Sequence, residues 1–206
     1  MREYFSAGFF AGNRRRLKEL FTGSAPIVLT ANGSLQRNGD STYLFRQDSR
    51  FWYLTGIDDP DIVLVMDKDK EYLIVPEGNE IRDVFEGEIN QARLSEISGI
   101  KSVIDSKNGW KQLANRLSRV KHMATLAAPP AYEPHYNMYT NPARALLIAR
   151  CKDISPGLEL LDLRSHLAKM RVVKQPEELV ALREAVDITV KTIKTIAQKR
   201  NKFNYE

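Results

Sequence analysis

Apolar residues recur at helical spacing near the start of the chain. Phe9, Phe10, Leu17, Leu20 and Phe21 predict a helix over 6–21, with its arginines on the opposite face. Gly23-Ser24 stops it and Pro26 prevents its continuation. Ile27-Val28-Leu29-Thr30-Ala31 then reads as a short strand, followed by turn chemistry at Asn32-Gly33-Ser34. Further strand-like runs fall at 51–55, 62–66 and 71–75. Asp67-Lys68-Asp69-Lys70 is a charged hairpin tip between the last two, and Pro76-Glu77-Gly78 closes the pair.

Strands and helices alternate more clearly after that. The pattern predicts a helix over 92–97, a strand over 102–104, and a helix over 109–122 carried by Trp110, Leu113, Leu117 and Val120. A buried strand over 124–128 ends at Pro129-Pro130, and 131–140 reads as an irregular loop. Asn141-Pro142 is a helix start leading into 145–150, with Asn as cap and Pro in the first turn. A strand over 161–163 and a helix from Ser165 complete the set, and Val172-Val173 break that helix. This alternation predicts an α/β fold, a β-sheet flanked by helices. After the break, Pro176 suits the first turn of a new helix and Glu177-Glu178 complement its positive end. Leu179, Leu182, Ala185, Val186, Thr189, Val190, Ile193 and Ile196 give that helix a long apolar stripe with nothing to cover it. The chain therefore divides into a domain over 1–173 and, over 174–206, a linker and first helix of a second, unfinished domain.

Composition narrows the class. In 206 residues, 43% are hydrophobic and 28% charged, which excludes a disordered or fibrous chain. The net charge of +5 is spread among interspersed acids and bases, and Arg14-Arg15-Arg16 is the one basic cluster. Nucleic acid is therefore not an expected partner. A single cysteine, Cys151, excludes an internal disulfide and points to a reducing, cytoplasmic compartment. The start of the chain has no signal-peptide pattern, and no apolar run reaches the roughly 20 residues of a bilayer span, so no membrane partner is expected.

Stand-alone catalytic motifs are missing. His122, His135 and His166 show no i, i+4 pairing, and there is no HExxH, CxxC, P-loop or GxGxxG. Cys151, beyond an apolar helix, reads as a small buried hydrophobe. The segment 37–56 differs: it runs Arg37-Asn38-Gly39-Asp40-Ser41-Thr42-Tyr43-Leu44-Phe45-Arg46-Gln47-Asp48-Ser49-Arg50-Phe51-Trp52-Tyr53-Leu54-Thr55-Gly56. An ordinary polar loop would cap its turns with Asp and Asn and send its aromatics inward. That reading does not explain so many side chains able to bond only in fixed directions, such as the planar groups of Arg46 and Gln47.

This segment resembles the amino-terminal domain of the Xaa-Pro aminopeptidases (aminopeptidase P), in the prolidase and creatinase group. The match is carried by Arg37, Asn38, Asp40, Tyr43, Phe45, Arg46, Gln47, Ser49, Phe51, Tyr53, Leu54, Thr55 and Gly56 at fixed spacing. It continues through Phe85-Glu86-Gly87, where the family often has Trp-x-Gly, and through 170–179, which resembles the linker opening the family's catalytic domain. The resemblance implies a mixed β-sheet for this domain and a pita-bread catalytic domain beyond it. That second domain would hold two divalent metals, usually manganese, on residues this chain does not contain, so no cofactor and no catalytic residue is expected here. It further implies an enzyme that removes an amino-terminal residue preceding proline, acts on peptides with proline in second position, and forms a homo-oligomer through this domain. A prolidase amino-terminal domain and a stand-alone, non-enzymatic binding module are the alternatives.

Within the resemblance, Asp40, with Arg37, Trp52 and Phe85, forms the candidate substrate-binding set: a carboxylate for a peptide ammonium and flat aromatic surfaces for proline or the residue after it. Against that stands the commoner role of a turn carboxylate, capping its own backbone. Asn38, Tyr43, Arg46, Gln47, Ser49, Tyr53 and Gly56 are expected to be architectural, with Arg46 bonded to backbone or to a carboxylate such as Asp48.

Overall fold

The computed structural model describes residues 5–68, 70–78 and 87–200. Its helices and strands follow in the order α1 (Ala7–Leu20), β1 (Ile27–Thr30), β2 (Gln36–Asn38), β3 (Ser41–Thr42), α2 (Ser49–Thr55), β4 (Val63–Asp67), β5 (Lys70–Ile74), α3 (Gln91–Ser98), β6 (Ser102–Ile104) and α4 (Ser106–Leu117). They continue with β7 (His122–Thr125), β8 (Tyr132–Glu133), β9 (Met138–Tyr139), α5 (Ala143–Ile154), β10 (Glu159–Asp162), α6 (Arg164–Val172) and α7 (Pro176–Lys199).

Six strands form one mixed sheet in the order β10-β7-β1-β4-β5-β6. The β1–β4 and β4–β5 pairs are antiparallel; β10–β7, β7–β1 and β5–β6 are parallel. Helices cover both faces, so the central strands are apolar on both sides and the period of two shows only in which core each residue enters. Ile27, Leu29, Leu64, Met66 and Leu73 pack with Phe9, Phe10 and Leu17 of α1, Phe51 and Leu54 of α2, and Leu167 of α6. Their neighbours Val28, Val63, Val65, Tyr72 and Ile74 face the opposite way, onto Leu113 and Leu117 of α4 and Leu147 and Cys151 of α5. The mixed sheet with flanking helices is the expected fold class.

Local expectations fail in four places, each for a physical reason. The run at 51–55 is a helix. Asp48 Oδ1 accepts from Arg50 N and Phe51 N at its start, and Gly56, at φ +70, ends it by donating to Trp52 O. A continuous apolar run carries no period, so the caps decide. A Cβ at position 56 would lie 2.3 Å from Phe10 Cε2, so both backbone and space demand glycine there. Arg14 does not share the exposed arginine face of α1 but is 1% exposed. Its fork meets Glu71 at 2.9 and 3.2 Å and its Nη1 donates to Leu54 O at 2.8 Å, which satisfies a buried cation. The segment 131–140 holds a short hairpin, Tyr132↔Tyr139 and Glu133↔Met138, with Asn137 at φ +50 in its turn. The helix expected over 109–122 starts at Ser106, because Asp105 caps Asn108 N, and it stops at Leu117, freeing His122 to open β7.

The last helix, α7, runs 24 residues and buries none. Gln175 N donates to Glu178 Oε2, and Gln175 Nε2 donates to Asn13 Oδ1 at 2.7 Å, fixing the helix start to α1. No helix among the described residues is long and apolar enough to cross a membrane.

Cys151 lies under the sheet with no exposure, and burial pushes its thiol from 9.0 up to about 12. The folded value lies above the unfolded one, so the stabilisation of the neutral thiol is complete below about pH 9 and is lost as pH rises from there toward 12. The native chain should resist thiol alkylation at pH 8 and label fully in denaturant. The urea midpoint should fall between pH 8.5 and about 10 more steeply in the parent than in Cys151→Ala.

Candidate functional site

The segment that follows β1 is organised by one side chain. Gln47 is 9% exposed and uses its whole carboxamide. Its Oε1 accepts from Asn32 N and Asp48 N, both at 2.9 Å. Its Nε2 donates to Ile57 O at 3.2 Å and Asp59 O at 2.9 Å. Three pieces of chain (the end of β1, the start of α2 and the turn after α2) thus meet on one residue. Asn32 adds a bond from its Nδ2 to Arg46 O, and Asp61 N, in a residue at φ +62, donates to Asn32 O. Arg93 of α3 holds Asp59 at 3.1 Å.

Out of this frame the β2–β3 hairpin projects, with Gly39 at φ +52 and Asp40 in its turn. Arg37, Asn38 and Asp40 are exposed. Asn38 contributes its carbonyl, which accepts from Ser41 Oγ, and Gln36 Nε2 donates to Gly39 O. Tyr43 N donates to Leu35 O at the base, while Tyr43 as a whole is 58% exposed and the neighbouring Leu44 is 98% exposed. A groove of ≈ 450 Å³ runs beside the hairpin, lined by Ser34, Thr42, Tyr43, Leu44, Phe45, Asp58 and Pro60.

The other candidates lie apart from this groove. Trp52 packs edge-on against Phe5 and Phe10, with ring centroids 5.4 and 5.5 Å away. It belongs to the rim of the α1 core and lines none of the groove that runs by the hairpin. Phe85 lies outside the described residues. Tyr53 is buried: its hydroxyl accepts from Arg16 Nη2 at 2.9 Å, its carbonyl accepts from Asn13 Nδ2 at 2.7 Å, and burial foremost, then the charge of Glu178, raises its phenol. Ser49 Oγ accepts from Arg171 Nη1. Arg46 corrects an expectation. Its side chain is exposed, and Asp48 Oδ2 pairs instead with Arg144, whose side chain is 16% exposed. Arg144 is nearly a hundred residues from Asp48, and nothing in the local pattern signalled it. Asn141, read from sequence only as a helix cap, also reaches Gly33.

Among the described residues no group of three or more His, Cys, Asp or Glu is placed to hold a metal ion. The histidines are dispersed: His122 Nε2 meets Glu159 at 3.0 Å, His166 stands edge-on to Phe21, and His135 to Tyr136. The donor set among the described residues does not fit a dinuclear metal centre. What this surface offers is a rigidly mounted hairpin with exposed charge and exposed apolar side chains.

Comparison with known proteins gives this architecture its class. Residues 10–125 match the family described as aminopeptidase P, N-terminal domain, and the chain belongs to that family. The Xaa-Pro aminopeptidase of Escherichia coli is 29% identical over 188 residues, covering 85% of this chain and 41% of its own length. That of Haemophilus influenzae is 28% identical over 206 residues, covering 96% and 44%. The fold superposes on a Bacillus anthracis structure assigned to aminopeptidase P, with a TM-score of 0.78, 23% identity, and coverage of 92% of this chain and 46% of that one. The chain thus spans less than half the length of the relatives it matches.

Replacing Gln47 with Leu keeps the bulk and leaves two amides and two carbonyls without their partner. The variant should lose about 3 kcal/mol or more, seen as a lower urea midpoint at constant m value. A midpoint within error of the parent would mean that water replaces all four bonds without cost.

Proposed function

We propose that this chain is the non-catalytic amino-terminal part of an Xaa-Pro aminopeptidase, shaping access to a metallopeptidase centre supplied by chain beyond it. The observation that carries the reading is the similarity to Xaa-Pro aminopeptidases along 85 to 96% of this chain. The bond before proline lacks an N–H and has restricted geometry, so an enzyme for it must recognise the peptide by other features. The free ammonium at the amino terminus is one. Asp40, exposed at the tip of an anchored hairpin, is suited to attract that charge, and Arg37 beside it tunes the local field. In this reading two divalent metals, of the manganese type, belong to that metallopeptidase centre. Assembly through this domain, which would bring one subunit's hairpin to another's active site, is part of the same proposal. Trp52 serves in this reading from the core rim, stiffening α2 behind the site.

Two measurements test it. The 206-residue chain, supplied with Mn²⁺, should release no amino acid from Xaa-Pro peptides, and turnover that co-purifies with it and vanishes in a variant of one of its own residues would overturn the reading. In the complete enzyme that carries this chain, Asp40→Asn should raise KM for such peptides about tenfold, with kcat and melting temperature nearly unchanged, the mark of lost uniform binding. An Asp40→Asn enzyme that unfolds more readily while its folded fraction shows normal KM would make Asp40 a turn cap. Cleavage confined to dipeptides would favour a prolidase.

A further inference from the structure

The loop bearing Arg37 and Asp40 leaves the sheet near Gly33 and rejoins the fold at Asp48, and one short stretch of distant chain grips both ends. Asn141 takes the first end with its whole carboxamide. Its Oδ1 accepts from Gly33 N at 3.1 Å and its Nδ2 donates to Gly33 O at 2.7 Å, across a sequence separation of 108. Arg144, one helical turn later, takes the second end through Asp48 Oδ2, across a separation of 96. Both members of that ion pair are largely buried, at 16% and 10% exposure. Beside the first grip lies a cavity of ≈ 190 Å³, lined by Leu35, Tyr43, Phe45 and Arg46 together with Asn141.

Beyond the Gln47 and Asn32 bonds that close the neck on its inner side, the hairpin has little else to orient it. Its strands are three and two residues long and exposed throughout. Two strands alone are marginally stable in water, so the direction in which the tip points is set at the neck. The Asn141 Nδ2 bond to Gly33 O does nothing for its own helix, whose first amide, Ala143 N, is satisfied by Oδ1. Arg144 likewise leaves the α2 cap intact, since that cap uses the other carboxylate oxygen of Asp48.

We propose that Asn141 and Arg144 are positioning residues for the peptide amino terminus, acting through the hairpin that presents Asp40. The proposal rests on the Asp40 reading above. Attraction between a carboxylate and an ammonium falls with distance, and misplacement by about 1 Å in a binding site has large kinetic effects. A loosened neck therefore weakens substrate binding while the core stays folded.

The test is made in the complete enzyme with Asn141→Asp, which keeps the acceptor for Gly33 N and Ala143 N and puts a charged acceptor in place of the donor to Gly33 O. A second variant, Arg144→Met, releases the other end. Each should speed amide exchange at Tyr43, whose N–H is bonded to Leu35 O at the hairpin base, about fivefold, with exchange at Leu64 and Leu73 unchanged. Each should raise KM about fivefold with kcat within about twofold. In an Asp40→Asn background the Asn141→Asp penalty on KM should disappear, because the grip acts through a carboxylate no longer present. Unchanged exchange at Tyr43, or an undiminished penalty in the Asp40→Asn background, overturns the proposal. Raised KM in Asp40→Asn beside unaltered KM in Asn141→Asp defeats this proposal alone, whereas unaltered KM in Asp40→Asn defeats the Asp40 reading and this proposal with it.

Discussion

A glutamine carboxamide can accept twice and donate twice, and Gln47 does all four inside the protein. Its partners are backbone groups that no regular element satisfies: the amide after β1, the amide at the α2 cap, and two carbonyls in the turn that leads to β4. In a buried setting each such group left open costs more than its bond contributes when made, so the four bonds stand or fall together. The strand before the hairpin, the helix after it and the turn into the next strand are thereby locked in one arrangement. Everything on the exposed side of this frame is free to vary in character, because none of it is needed to hold the frame.

That separation explains the division of labour within the segment 37–56. Gln47, Asp48, Phe51 and Tyr53, whose side chains face inward, and Gly56, which acts through its backbone, have partners fixed by geometry. Arg37, Asp40, Tyr43 and Leu44 face outward from a hairpin too short to need them. Solvated charge and exposed apolar surface of this kind contribute little to folding. On the proposed reading, recognition of a peptide amino terminus is what gives them a use.

Much of the fold was legible in the sequence because it rests on burial pattern and caps. The helix on Phe9, Phe10 and Leu17, the paired strands around the charged tip at Asp67, and the helix opened by Pro176 all follow from local signals. The helix at Phe51 was hidden because an unbroken apolar run has no period, although Asp48 and Gly56 carried the caps that define it. Arg14 was hidden for the opposite reason. Helical spacing places it beside the exposed Arg15, and only Glu71 and Leu54, brought close by the sheet, make its burial possible. Asn141 and Arg144 were beyond reach of any local rule, since their partners lie about a hundred residues away.

The final helix poses the remaining physical question. It carries Val180, Val186, Ile188, Val190, Ile193 and Ile196, branched side chains that favour a helix weakly, and three threonines whose hydroxyls bond back to the preceding turn. Over its length of about 36 Å, no side chain is buried, and a polar tie to the rest of the molecule stands at its N-cap, where Gln175 bonds Asn13. Helices in proteins owe most of their stability to a packed apolar face, and a sequence of this composition has less intrinsic propensity than most. The apolar stripe is therefore a face in want of a cover. On the proposed reading, that cover is the metallopeptidase part. The Gln175–Asn13 bond is then the joint at which the direction of this helix, and so of whatever packs on it, is referred to α1 and through Asn13 and Tyr53 to the α2 end of the same frame that mounts the hairpin.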